Sequence, residues 1–162
     1  MDQNPKFIAD AMLGSLARWL RFLGYDTFYC GTEPDDEIIS RIDGRILLTR
    51  DKELIIRARK RGYQVVNPGS GSIGSMLHRL KQQLDIRFIA NPAQSRCAQC
   101  NSPLLECTRE QVKGLVPNGS LRRHDKFWRC SNPRCQQVYW LGRHWIRIQK
   151  TLDKLESQDF KK

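Results

Sequence analysis

Nowhere in the 162-residue chain do about 18 apolar residues run together, so no membrane-spanning helix is expected. Met1 to Pro5 are polar and lack the apolar stretch of a secretory signal, which makes the cytoplasm the expected location. Internal repeats and long low-complexity tracts are also missing, which removes solenoids and biased, unpacked segments. Acidic residues are scarce in the second half. Residues 91–162 carry 6 Asp+Glu against 14 Lys+Arg, whereas residues 1–90 carry 11 against 14. The net charge of +11 therefore concentrates in the C-terminal half, and a field of that sign gathers polyanions, nucleic acid first among them. With 40% apolar and 28% charged residues, the composition is otherwise that of a globular protein able to bury a core.

Short apolar strands alternate with helical patterns from the start. Phe7-Ile8-Ala9 is followed by Leu13, Leu16, Leu20 and Leu23 at helical spacing and then by Thr27-Phe28-Tyr29. The rhythm continues with a helix expected over 35–42, a strand over 46–49, a helix over 52–61 and a strand over 64–66. Such alternation predicts an α/β fold, a mostly parallel sheet flanked by helices. One more amphipathic helix carries Met76, Leu77, Leu80 and Leu84, and a short apolar stretch spans 86–90. Asn91 to Ser95 reads as a linker, which divides the chain into an expected 1–90 domain and a 91–162 domain. The second domain is expected to close with a charged helix over roughly 144–158.

In a reducing compartment six cysteines are not expected to form a disulfide framework. Cys97-x-x-Cys100 and Cys130-x4-Cys135 are two short loops about thirty residues apart, the layout in which two turns each offer two thiolates to one tetrahedral ion. A four-thiolate cage leaves no open position for water, so the expected ion is a structural zinc closing a small C-terminal zinc ribbon. A segment this small buries little apolar surface, so metal binding would decide whether it folds. The rival, a redox pair at Cys97 and Cys100, is opposed by the second cysteine pair. Cys30 and Cys107 have no partner spacing and are expected to be small buried hydrophobes.

Asp10 follows the first strand, Asp51 follows the third, and Asp35-Asp36-Glu37 opens the helix after the second. In an open parallel sheet these places lie at the carboxyl edge, where ligands bind. Carboxylates gathered there would repel one another, and magnesium or manganese would reverse the repulsion. Each acid alone is equally well explained as a helix N-cap. Arg18 and Arg21 lie one turn apart on the first helix and Arg50 adjoins Asp51, positions from which arginines grip phosphate or simply face solvent.

Gly69-x-Gly71-x-x-Gly74 matches a dinucleotide fingerprint, but it follows the fourth strand rather than the first, and no acid stands about 20 residues on. Its helix N-terminus is the alternative anchor for an RNA phosphate. His78 is expected at the surface or in packing, and Arg122-Arg123-His124-Asp125-Lys126 as a solvated loop. His144 is expected as an RNA contact, a partner of a zinc thiolate or a packing residue.

Phe7-Ile8-Ala9-Asp10, Leu13-Gly14-x-Leu16-Ala17-Arg18-Trp19-Leu20-Arg21 and Arg45-Ile46-Leu47-Leu48-Thr49-Arg50-Asp51 resemble the Mut-seven C-terminal RNase family. Cys97-x-x-Cys100, Phe127-x-x-Cys130, Cys135 and Val138-Tyr139-Trp140-x-Gly142-x-His144-Trp145 are similar to that family's zinc ribbon. The resemblance implies a PIN-like nuclease domain joined to a zinc ribbon, and RNA as substrate. It further implies Asp10, Asp51 and one of Asp35 and Asp36, with Asp36 slightly favoured, as ligands of a catalytic magnesium or manganese ion. RNA contacts are expected from Arg18, Arg21, Arg50, Arg122, Arg123 and His144. The resulting expectation is a metal-dependent ribonuclease, and its rival is a non-catalytic RNA-binding adaptor.

Overall fold

The computed structural model describes residues 4–159. Two compact units divide the chain: residues through Arg21 with Tyr25–Arg87, and Phe22–Gly24 with the residues from Phe88 onward.

In the first unit, β1 (Phe7–Ala9) and β3 (Ile46–Leu48) are buried at every residue, as strands covered on both faces must be. They pair in parallel, and β2 (Thr27–Tyr29) and β4 (Val65–Val66) extend the sheet on either side in the order β2-β1-β3-β4. Ile8 stands opposite both Phe28 and Leu47. Helices α1 (Gly14–Phe22), α2 (Asp35–Ser40) and α3 (Lys52–Lys60) supply the crossovers, and α4 (Ile73–Leu84) follows β4. Ile8 and Leu47 pack with Ile38, Ile39 and Ile42, and with Leu54 and Ala58 of α3. The parallel sheet flanked by helices is the fold class read from the sequence.

Several boundaries differ from the sequence reading for local reasons. Helix α2 stops at Ser40, because Arg41 leaves helical geometry and Asp43-Gly44, both at positive φ, turn the chain into β3. Helix α4 starts earlier, at Ile73, where the Ser72 hydroxyl accepts from the Ser75 amide at 3.2 Å. It ends at Asp85, which adopts the left-handed conformation (φ 48°). Residues 86–90 form no strand, although Ile86 and Phe88 are buried.

The second unit is built on an antiparallel sheet, β5 (Leu104–Cys107), β6 (Phe127–Cys130) and β7 (Val138–Trp140), with β6 central. Helix α5 (Asn118–Arg123) and the long α6 (Arg143–Asp159) complete it. Its core gathers Val112, Val116, Leu121, Phe127 and Val138, with Cys107 and Trp140 packed at the margin. Arg122 and Arg123, expected in a loop, lie instead in the last turn of α5, because buried Leu121 anchors that turn to the core.

Candidate functional site

Strand order decides where the first unit opens. The chain leaves β1 for β2 on one side and leaves β3 for β4 on the other, so the connections diverge at the carboxyl ends of β1 and β3, which remain paired there. That divergence is the switch point at which open parallel sheets bind ligands. Asp10 and Thr49 are the first residues beyond β1 and β3, and Asp51 is two further on.

Thr49 joins the two acids. Fully buried, its hydroxyl donates to Asp10 Oδ2 and accepts from the Asp51 amide at 3.0 Å. Asp10, itself only 6% exposed, also accepts from the Met12 amide at 3.1 Å. Asp51 is exposed and caps α3, accepting from the amides of Glu53 and Leu54 at 2.8 and 3.0 Å. The pairing of Asp10 with Thr49 went unread in the sequence, although a hydroxyl two residues before an N-cap acid was there to be noticed.

The remaining acids have another partner. Arg57 of α3 donates to Asp35 Oδ2 at 3.0 Å and to Asp36 Oδ1. No three carboxylates among the described residues come within 4.8 Å of one another. Asp10, Asp35, Asp36 and Asp51 thus share a unit without converging, because α3 uses Asp51 as its cap and draws Asp35 and Asp36 to Arg57.

The arginines divide as well. Arg18 is exposed. Arg21, expected either to grip phosphate or to face solvent, is 7% exposed and its Nε donates to the Thr27 carbonyl at 2.9 Å, which tethers α1 to β2. Arg50 is half-buried, and its Nε has no hydrogen-bond partner among the described residues. Cys30, buried as expected, hydrogen-bonds through its amide to the Ala9 carbonyl. Burial, with Glu33 and Asp10 adding negative charge, pushes its thiol up to about 12.

The glycine-rich loop is filled from within. Arg79 of α4 donates through Nη1 to the carbonyls of Pro68 and Ser70, each at 3.0 Å. A side chain at Gly69, where φ is 73°, would collide with that guanidinium.

In the second unit the Sγ atoms of Cys97, Cys100, Cys130 and Cys135 all lie within 4.8 Å of one another, a set able to hold a metal ion such as zinc. Cys97 is 3.6 Å from Cys135, and Cys100 is 3.3 Å from Cys130. Zinc–sulfur bonds of about 2.3 Å place tetrahedral sulfurs about 3.8 Å apart, so the donor set fits that ion. The first pair lies in the turn before β5, while Cys130 ends β6 and Cys135 sits in the turn leading to β7.

Tyr139 of β7 gives one of these sulfurs a hydrogen-bond partner. Its hydroxyl lies 3.2 Å from Cys97 Sγ and accepts from the Ala98 amide at 3.0 Å, which leaves its proton for the sulfur. Burial first, and then the neighbouring Cys97 sulfur, raise its phenol pKa well above the ordinary value. Cys100 moves the other way: burial raises it, but hydrogen bonding with Ser102, Cys130 and Cys97 outweighs burial and brings it down to about 6. Burial pushes Cys130 and Cys135 up. A lowered thiol in the group favours the thiolate that a metal needs.

His144 is not at the sulfurs. It is exposed, with its ring edge-on to Phe22 at 5.2 Å. His124 is half-buried beside exposed Arg122 and Arg123, and His78 is half-buried on α4 with its Nε2 2.9 Å from Gln82 Nε2. No helix among the described residues is long and apolar enough to cross a membrane.

No curated protein and no solved structure matches the chain. The family described as the Mut7-C RNAse domain matches residues 5–152, which takes in both the carboxylate edge and the four cysteines. The chain therefore belongs to the Mut7-C RNAse domain family, and its function is nuclease-like and related to RNA.

Proposed function

We propose that the protein is a divalent-metal-dependent ribonuclease that hydrolyses RNA phosphodiester bonds, with a zinc-bound second unit helping to hold the RNA. The observation that carries this reading is Thr49 joining Asp10 to the Asp51 backbone at the β1/β3 switch point, inside a chain of a ribonuclease-domain family. Hard carboxylate oxygens at such an edge suit magnesium or manganese. Bound there, the ion would supply a Lewis acid and a water of lowered pKa. The chain's own residues do the rest. Thr49 fixes the direction of Asp10, α3 fixes Asp51, and one of Asp35 and Asp36 is the third ligand once it parts from Arg57. Arg18 and Arg50 are the cations placed to meet a phosphate.

The four thiolates are proposed to hold zinc in a purely structural role. Arg122, Arg123 and His144 then stand on the surface that meets RNA. The cytoplasm is the proposed location.

One observation favours the second reading, a non-catalytic RNA-binding adaptor: Arg57 occupies Asp35 and Asp36, so the acid set is splayed. Asp10→Asn and Asp51→Asn separate the two. Each keeps size while removing a ligand charge, so each should slow manganese-dependent cleavage of labelled single-stranded RNA by at least about a hundredfold, or ~2.7 kcal/mol of barrier. Binding should persist or tighten, since a charge facing a polyanion is gone. Metal-independent cleavage unaffected by either change would leave the adaptor standing.

A further inference from the structure

A cleft of about 640 Å³ opens in the second unit where β7 runs into α6. Its volume lies in the range of small-ligand sites. Tyr139, Trp140 and Trp145 furnish apolar walls, and Arg123, Arg143 and His144 furnish positive or ionisable groups at the rim. None of the residues lining it is acidic. The cleft is therefore apolar inside and cationic at its mouth.

The local sequence explains the shape. Trp140 leaves β7 half-buried, and Gly142 two residues later provides the room its indole needs: a Cβ there would lie 2.8 Å from Trp140 Nε1. The chain then enters α6 at Arg143, whose first turn carries no acidic residue, so Arg143, His144 and Trp145 face the cleft without a neutralising neighbour in that turn.

We propose that this cleft takes one unstacked nucleobase of single-stranded RNA together with its phosphate. The indole rings of Trp140 and Trp145 offer flat faces for a base, and Arg143 and Arg123 offer charge for the phosphodiester that follows it. Aromatic faces accept any base, so the selection is for unpaired strand over duplex rather than for sequence. The inference rests on the RNA reading above and goes beyond it by naming where a base is held. It makes the second unit a reader of single-stranded RNA, distinct from the carboxylate edge of the first unit.

The test uses the zinc-loaded 162-residue chain carrying Asp10→Asn, so that RNA survives the titration. Trp145→Ala and Arg143→Ala are introduced separately, with zinc content and circular dichroism checked for each. Ten-nucleotide adenylate and uridylate oligomers, the same oligomers with abasic sites, and a duplex serve as probes. Both unpaired oligomers should quench tryptophan fluorescence, and Trp145→Ala should weaken them by about tenfold with little change in salt dependence. Arg143→Ala should flatten the log–log salt slope by about 0.7. The abasic strand should bind the parent protein as weakly as the normal strand binds Trp145→Ala. Equal binding of RNA by the parent and both folded variants would overturn the cleft and leave the nuclease reading intact, with the cleft then free for a protein side chain. Absence of RNA binding together with absence of cleavage by the wild-type chain would overturn both.

Discussion

Replacing Thr49 with valine keeps the side-chain shape and removes one hydroxyl, which is the sole direct link between Asp10 and the Asp51 backbone described above. Two hydrogen bonds disappear: the donation to the Asp10 carboxylate and the acceptance from the Asp51 amide at 3.0 Å. A bond to a charged group contributes about 1.5–3 kcal/mol and a neutral one about 0.5–1.5, and Thr49 is fully buried, so water cannot replace either. The expected loss is roughly 2–4 kcal/mol, confined to the first unit. Hydrogen exchange read on peptides covering β1 and β3 measures it directly, since that loss should speed exchange through the unfolding of the unit by about 30- to 1000-fold. Thr49→Ser keeps the hydroxyl and gives up one methyl, worth about 0.8 kcal/mol, so it should exchange at close to the wild-type rate. Cleavage should follow the same order, serine near wild type and valine far below. If valine and serine variants exchanged and cleaved alike, the hydroxyl would have no organising part and the argument for the β1/β3 edge would fail.

Cys97→Ser or Cys130→Ser should release about one zinc per chain and unfold the second unit alone, while Cys107→Ser keeps full occupancy; elemental analysis with domain-resolved hydrogen exchange reads both, and a zinc-free wild-type protein would contradict it. Single-stranded RNA affinity should fall with salt at a log–log slope of about −3 if four or five phosphates are met, and Arg122→Glu with Arg123→Glu should lower it; unchanged affinity and slope would take α5 out of the RNA surface. Burial holds the Cys30 thiol at about 12 in the fold, against 9.0 for an ordinary thiol. The unfolded chain therefore loses its proton first, so the stability this thiol contributes is complete below pH 9 and drains away between pH 9 and about 12. Urea unfolding of wild type and Cys30→Ala across that interval should show the extra alkaline loss in wild type only, and parallel curves would refute it.

The alternation of apolar strands and amphipathic helices made the parallel sheet legible, because Phe7-Ile8-Ala9 and Ile46-Leu47-Leu48 can satisfy their burial only as central strands. Cysteine spacing likewise pointed to the one cluster of four sulfurs. Contacts between distant segments were less accessible. Nothing in the spacing of Asp35 and Asp36 announces Arg57, 21 or 22 residues away, since the pairing depends on how α2 and α3 lie over the sheet. Arg21 looked like Arg18 one turn earlier, yet the helix turns it inward to the Thr27 carbonyl. Tyr139 carried no role of its own in the ribbon motif, because only the β6/β7 register brings its hydroxyl to Cys97.

The plug that Arg79 forms in the Gly69 loop has a wider bearing on how glycine motifs are interpreted. A phosphate-binding loop presents amide hydrogens to its ligand, whereas here the carbonyls of Pro68 and Ser70 converge on a guanidinium of the same chain. The glycine at position 69 answers to the bulk of that guanidinium, not to a nucleotide. An incoming anion would meet two carbonyl dipoles turned the wrong way and an Arg79 Nη1 already bonded to them. Spacing alone cannot tell a loop that receives a ligand from one that clasps its own arginine ten residues downstream, so in chains of this kind the residue at that distance is the more informative letter.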